Sequence, residues 1–108
     1  MIKLPTPVAD YVEAANAQDA KRVAAAFLPS ATVHDEGQLR RGREEIAAWA
    51  SDTAVQYGFT IAPRSIDASD GRCTLRAEVS GKFPGSPATL AFHFALEGDA
   101  IASLEITP

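Results

Sequence analysis

The apolar positions of this chain keep one period up to about residue 55 and another after it. In the first half they recur every three to four residues, as on a helix face. In the second they alternate, as on a strand face. Thr6-Pro7 has the form of an N-cap followed by a first-turn proline. Val8, Tyr11, Val12 and Ala15 form one apolar stripe behind it, predicting a helix over about 6–17. Asp19 is placed to cap a second helix over about 19–28, which carries Val23, Ala24 and Phe27 and is stopped by Pro29. A third, over about 43–55, presents Ile46, Trp49, Ala50 and Thr53 on one side.

Between the second and third helices the run ATVHDEG alternates, followed by a turn at Glu36-Gly37 and a short extended piece around Leu39. Beyond the third helix, Tyr57, Phe59 and Ile61 alternate as a strand, and Pro63 predicts an end or a bulge at a sheet edge. Ser69-Asp70-Gly71 reads as a hairpin turn leading into Cys73, Leu75, Ala77 and Val79 on one face. Gly81 predicts a bend before Phe83, and PGSP at 84–87 a further turn. Leu90, Phe92, Phe94 and Leu96 mark the next strand, Glu97-Gly98-Asp99 its turn, and Ala102, Leu104 and Ile106 the apolar face of the last. Helices first and an antiparallel meander afterwards define an α+β fold: three helices on one face of a strongly curved, mainly antiparallel sheet, in one domain spanning 1–108. Side chains from both layers can then enclose a cavity.

Composition narrows the classes. With 108 residues, 46% hydrophobic and 22% charged, the chain reads as a globular domain able to bury one core. A net charge of −4 argues against a nucleic-acid partner. Arg40, Arg41 and Arg43 are followed at once by Glu44 and Glu45, so their field is largely cancelled. No apolar run approaches the roughly 18 residues of a membrane helix. An N-terminus with one Lys, early prolines and no long apolar stretch predicts no signal peptide and a cytoplasmic location. The single cysteine, Cys73, excludes an internal disulfide and reads as a small buried hydrophobe beside Leu75.

Candidate chemistry centres on Asp35. Strand alternation puts it on the face of Ala31 and Val33, with Thr32 and His34 opposite. A carboxylate among apolar groups has its charged form disfavoured and its pKa raised toward general-base use. The alternative is that Asp35 caps the Glu36-Gly37 turn or pairs with an arginine such as Arg41. Tyr11 is either a core ring beside Val8 and Val12 or a hydroxyl reaching the same cavity. Trp49 and Tyr57 carry similar polar tips. His34 and His93 fall on the outer sheet face, so a metal site combining them with Asp35 would require a broken strand.

The run YVEAANAQDAKRVAAAFLPSATVHDEG, then RRGREEIAAW and a strand-rich half, resembles the SnoaL-like branch of the NTF2-like superfamily, which includes ketosteroid isomerases and polyketide cyclases. The resemblance implies a cone-shaped fold without a cofactor. It puts Asp35 at the proton-shuttling aspartate of the isomerases and Tyr11 at the tyrosine that donates to the substrate oxyanion. Phe92 stands where the isomerases keep a second, protonated acid. Three readings follow: an enzyme doing acid–base chemistry on a small apolar, carbonyl-bearing or ring-shaped molecule, a protein binding such a molecule without chemistry, and an assembly module. Val33, Trp49, Tyr57, Phe59, Phe83, Phe92 and Leu104 are expected to line the cavity. A homodimer is expected through the outer sheet face, where Thr89, Ala91, His93 and Ala95 lie beside Thr74, Arg76 and Glu78.

Overall fold

The apolar stripes become three helices, and a computed structural model of the protein describes residues 2–108, leaving Met1 outside. Helix α1 spans Thr6–Asn16 and α2 Ala20–Ala25, with α3 at Gly42–Tyr57. Strands β1 (Phe27–Asp35) and β2 (Gln38–Arg41) precede α3, while β3 (Thr60–Ser69), β4 (Arg72–Ser80), β5 (Ala88–Glu97) and β6 (Ala100–Thr107) follow it. The six strands form one sheet in the order β2-β1-β6-β5-β4-β3. Every neighbouring pair is antiparallel except β1 with β6, which run parallel. That one parallel pairing lets the hairpin β1–β2 join the end of the meander, with all three helices free to cover the concave side. Among the described residues, no helix is long and apolar enough to cross a membrane.

Burial follows the sequence pattern. Val8, Tyr11, Val12 and Ala15 of α1, Ile46, Trp49 and Ala50 of α3, and Cys73, Leu75, Ala77 and Val79 of β4 are all buried in one core. The Asp19 carboxylate accepts a hydrogen bond from the Arg22 backbone N–H at 3.2 Å, capping α2 as expected. At the end of α1 the Asn16 side chain behaves like a neighbouring strand. Its Nδ2 donates to the Ile61 carbonyl at 2.9 Å, and its Oδ1 accepts from the Ile61 N–H at 2.7 Å. This satisfies both backbone groups of an edge-strand residue, and it fixes the start of β3 against α1.

Four local expectations change. Thr6 is the first helical residue of α1 instead of its cap, because Pro5 occupies the N-cap position. The second helix ends at Ala25, and Phe27 opens β1, where its carbonyl accepts from Arg43 Nε at 2.9 Å. Pro29 lies inside β1 where pairing with β6 shifts register, so its missing N–H removes no ladder bond. Tyr57 is the last residue of α3, with Gly58 (φ 54°) as its left-handed C-cap, so the strand begins only at Thr60. Trp49, Thr53 and Tyr57 are four residues apart, so the helical period competes with the strand alternation of 57, 59 and 61 and wins. Finally, a register shift between Ala95 and Leu96 turns the apolar face of β6 onto Ile101 and Leu104, leaving Ala102 only half-buried. Pro63 sits at the predicted bulge, on the edge strand β3.

Gly81 shows how close the elements come. A Cβ there would approach the Tyr57 carbonyl oxygen to 2.8 Å, the oxygen that accepts the Lys82 N–H at 2.8 Å. Only glycine lets the β4–β5 turn dock onto the end of α3. This contact brings the turn, and Phe83 within it, over the open end of the cone.

Candidate functional site

A cavity of about 480 Å³ opens between the helices and the concave sheet face, within the range typical of small-molecule sites. Strand alternation carries β1 from buried Ala31 and Val33 to half-buried Asp35, its last residue, at the wall of this cavity, with His34 exposed on the other side. The opposing helix face supplies Trp49, whose Nε1 donates to Asp35 Oδ2 at 3.0 Å. Burial pushes the Asp35 carboxyl above its ordinary range, and the Glu36 carboxylate adds to the effect. The Trp49 hydrogen bond, the charge of Arg40 and the Glu36 backbone N–H work against it, and desolvation wins.

Of the two alternative readings of Asp35, the turn contact is present through the Glu36 backbone N–H, beside the Trp49 hydrogen bond, and the arginine pairing is not seen among the described residues. Arg41 forms no ion pair with it among the described residues, and the Arg41 backbone N–H donates to Glu45 Oε1 at 2.9 Å. Arg40 reaches the Asp35 backbone carbonyl at 3.3 Å, and Asp35 has no salt bridge among the described residues. The turn that follows is tight: Glu36 and Gly37 both take positive φ, 54° and 73°, in a two-residue hairpin between Asp35 and Gln38. That turn is what puts two acids side by side at the cavity.

Tyr11 is 2% exposed, and its ring packs against Phe27, Phe92 and Phe94 with centroids 6.0, 6.3 and 5.6 Å away. Its hydroxyl lies on the cavity wall and has no hydrogen-bond partner among the described residues. Burial first, and the Asp35 charge second, push its pKa well above the ordinary phenol value, so it remains a proton donor across the working range. Core ring and cavity hydroxyl are therefore both true of this residue.

Of the other residues expected to line the cavity, Trp49, Tyr57, Phe59, Phe83 and Phe92 do so. Val33 and Leu104 do not: at 0% and 1% exposure they lie beneath the floor, in the core, paired across β1 and β6. Sequence reasoning missed Glu36, Thr53, Ile61, Val79, Leu90 and Ile106 as wall residues. Signals existed for five of them: Thr53 shares the helix face of Trp49, and Ile61, Val79, Leu90 and Ile106 share the alternating strand positions of Phe59, Leu75, Phe92 and Leu104. The Trp49 hydrogen bond had only the indole's polar tip to announce it. His93 lies across the sheet, its Nδ1 3.3 Å from Thr74 Oγ1 and its Nε2 3.0 Å from Thr107 Oγ1. Among the described residues no three His, Cys, Asp or Glu side chains come together as a metal-binding group.

The fold has known counterparts. Residues 8–104 match the family model of the SnoaL-like domain. A provisionally named polyketide cyclase of Sinorhizobium meliloti is 34% identical, superposes with a TM-score of 0.93, and is matched over 96% of this chain and 95% of its own. A Catenulispora acidiphila protein with a ketosteroid isomerase-like fold, solved in complex with trimethylamine, is 19% identical over 98% of this chain and 87% of its own, with a TM-score of 0.88. A provisionally named polyketide cyclase of a Silicibacter species is 22% identical over 94% and 85%, with a TM-score of 0.80. The last two likenesses carry the fold alone. No curated protein matches the sequence. With the helices, the sheet order and a family model covering nearly all of its length in agreement, the chain belongs to the SnoaL-like domain family, with the α+β fold of the NTF2-like proteins.

Proposed function

We infer that this protein carries out acid–base chemistry, of isomerase, cyclase or dehydratase type, on an apolar carbonyl-bearing or ring-shaped metabolite held between helices and sheet. One observation carries this reading: a half-buried carboxylate, raised above its ordinary range by desolvation, on the wall of a largely apolar cavity. Ionised Asp35 would take a proton from a carbon next to the carbonyl. The electron pair left behind moves onto the carbonyl oxygen, where the Tyr11 hydroxyl donates a hydrogen bond to the developing charge. Returning the proton from Asp35 to a different carbon completes an isomerisation; attack of the same carbanion on a second carbonyl, with the proton passing from Asp35 to the alkoxide that forms, completes a ring closure. Trp49 would hold the carboxylate in one orientation throughout.

The second reading, binding without chemistry, is favoured by Phe92. It is 2% exposed on the cavity wall, at the position where the resemblance to the isomerases puts their second acidic donor, which on that reading leaves Tyr11 as the donor carried over. Proton exchange with solvent separates the two readings without needing the natural substrate. Bicyclic and tricyclic enones and β-keto esters are incubated with the protein in deuterated water, and label at the α carbon is followed by NMR. Catalysis predicts incorporation that falls by at least about 100-fold in Asp35→Asn and by roughly 10- to 100-fold in Tyr11→Phe. Ligands that bind with no exchange above background would leave the binding reading standing alone.

A further inference from the structure

Acid–base chemistry on a neutral ring uses one carboxylate, yet this cavity has two. Asp35 and Glu36 both line it, and no Lys, Arg or His among the described residues does. Arg40 stands outside the lining, engaged with the Asp35 backbone carbonyl at 3.3 Å. For a neutral ketone a second negative charge is a handicap, because it repels the enolate that forms. Glu36 therefore needs another explanation.

Its surroundings supply one. The chain has five Phe, two Tyr and one Trp, and six of these, Tyr11, Trp49, Tyr57, Phe59, Phe83 and Phe92, line the cavity. One of them, Tyr57, reaches Glu36 directly, and a second, Phe83, packs on Tyr57. The Tyr57 hydroxyl donates to Glu36 Oε1 across a long 3.4 Å, which leaves the carboxylate ample acceptor capacity, and the Tyr57 ring stands edge-on to Phe83 with centroids 6.0 Å apart at 87°. A carboxylate and aromatic rings that line one cavity favour an ammonium group, because ring quadrupoles and carboxylate attract the same cation. Independently, Tyr11 lines the same space and its hydroxyl makes no hydrogen bond to another described residue, so it is free to donate to a polar acceptor on the occupant.

We propose that this cavity selects apolar ring molecules that also carry a protonated or quaternary amine, the ammonium lying between the Glu36 carboxylate and the rings of Tyr57 and Phe83. The proposal rests on the reading above only in taking the same cavity as the ligand site. It holds whether or not chemistry follows.

A matched pair of probes tests it. The cation of para-(trimethylammonio)phenol and para-tert-butylphenol differ by a quaternary nitrogen in place of a carbon. Both are titrated into the protein by calorimetry, with the fluorescence of Trp49, the single tryptophan, reporting on the site. The ammonium probe should bind about tenfold more tightly than its neutral isostere, an advantage that shrinks with added salt. In Glu36→Gln, a change at an exposed turn residue that leaves the core untouched, the two affinities should come within about threefold of each other. Equal or tighter binding of the neutral probe overturns the proposal. So does an advantage unchanged in Glu36→Gln, or failure of the ammonium probe to bind. Proton exchange with neutral carbonyl probes is read separately: exchange without ammonium preference removes this proposal and keeps the catalytic reading, and the reverse result does the opposite.

Discussion

Asp35 is poised between a hydrogen bond that favours its charged form and a burial that disfavours it, and burial prevails. The consequence for stability follows from the sign. A folded-state pKa above the unfolded one means that the folded protein holds more protons between the two values, so Asp35 stabilises less and less as pH rises through that window. Replacing it by asparagine keeps an oxygen to accept from the Trp49 indole and removes a charge that folding must desolvate. Asp35→Asn should therefore melt at the same temperature as wild type at pH 7 or slightly higher. The gain should stay under about 1 kcal/mol, because the carboxylate is only half-buried and still meets the water of the cavity. A clear drop in melting temperature would mean that the charge is compensated better than this geometry allows.

At the scale of elements, what could be read from sequence depended on whether one period dominated. The stripe of α1 and the alternation of β4 each had a single interpretation, and both were legible in detail. Residues 55–61 satisfied two periods at once, and the choice was made by Gly58, whose left-handed conformation ends α3 after Tyr57. The face of Asp35 was readable because a strand has only two faces, whereas the indole opposite it depends on how α3 crosses the sheet, which no local pattern encodes. The Asn16 bridge to Ile61 is likewise a contact across 45 residues. Losing it in Asn16→Ala would leave an edge-strand N–H and carbonyl to water and cost about 1–2 kcal/mol. It should also weaken ligand binding, since Ile61 is part of the cavity wall. Urea melts with a parallel ligand titration check both effects; unchanged stability would show that β3 holds its place without the clamp.

The whole molecule presents its concave face to the helices and the opposite face outward. There Thr74, Arg76 and Glu78 of β4 pair with His93, Ala91 and Thr89 of β5. Ala91 is already buried within the single chain, so Thr74, Arg76, Glu78, Thr89 and His93 are the side chains that this face offers to a self-complementary contact. The two exposed large hydrophobics among the described residues, Leu39 and Val55, lie elsewhere, on β2 and α3. A two-fold homodimer through the outer sheet is accordingly expected. Light scattering at micromolar concentration should return twice the chain's 11.4 kDa, and Arg76→Glu should move the mass toward the monomer. A monomer mass for the wild type contradicts this.

The central claim is that Asp35 is a desolvated carboxylate at the wall of a ligand cavity, and its titration tests this most directly. Carbon-13 NMR of the aspartate carboxyls, with Asp35 assigned by the signal missing in Asp35→Asn, follows the group without any substrate. The midpoint should lie above the ordinary aspartate value of about 3.9, and higher again in Trp49→Phe, where the charged form loses its indole donor. A midpoint at or below about 3.9 would make Asp35 an ordinary solvated or paired acid and remove the physical basis for its role as a base.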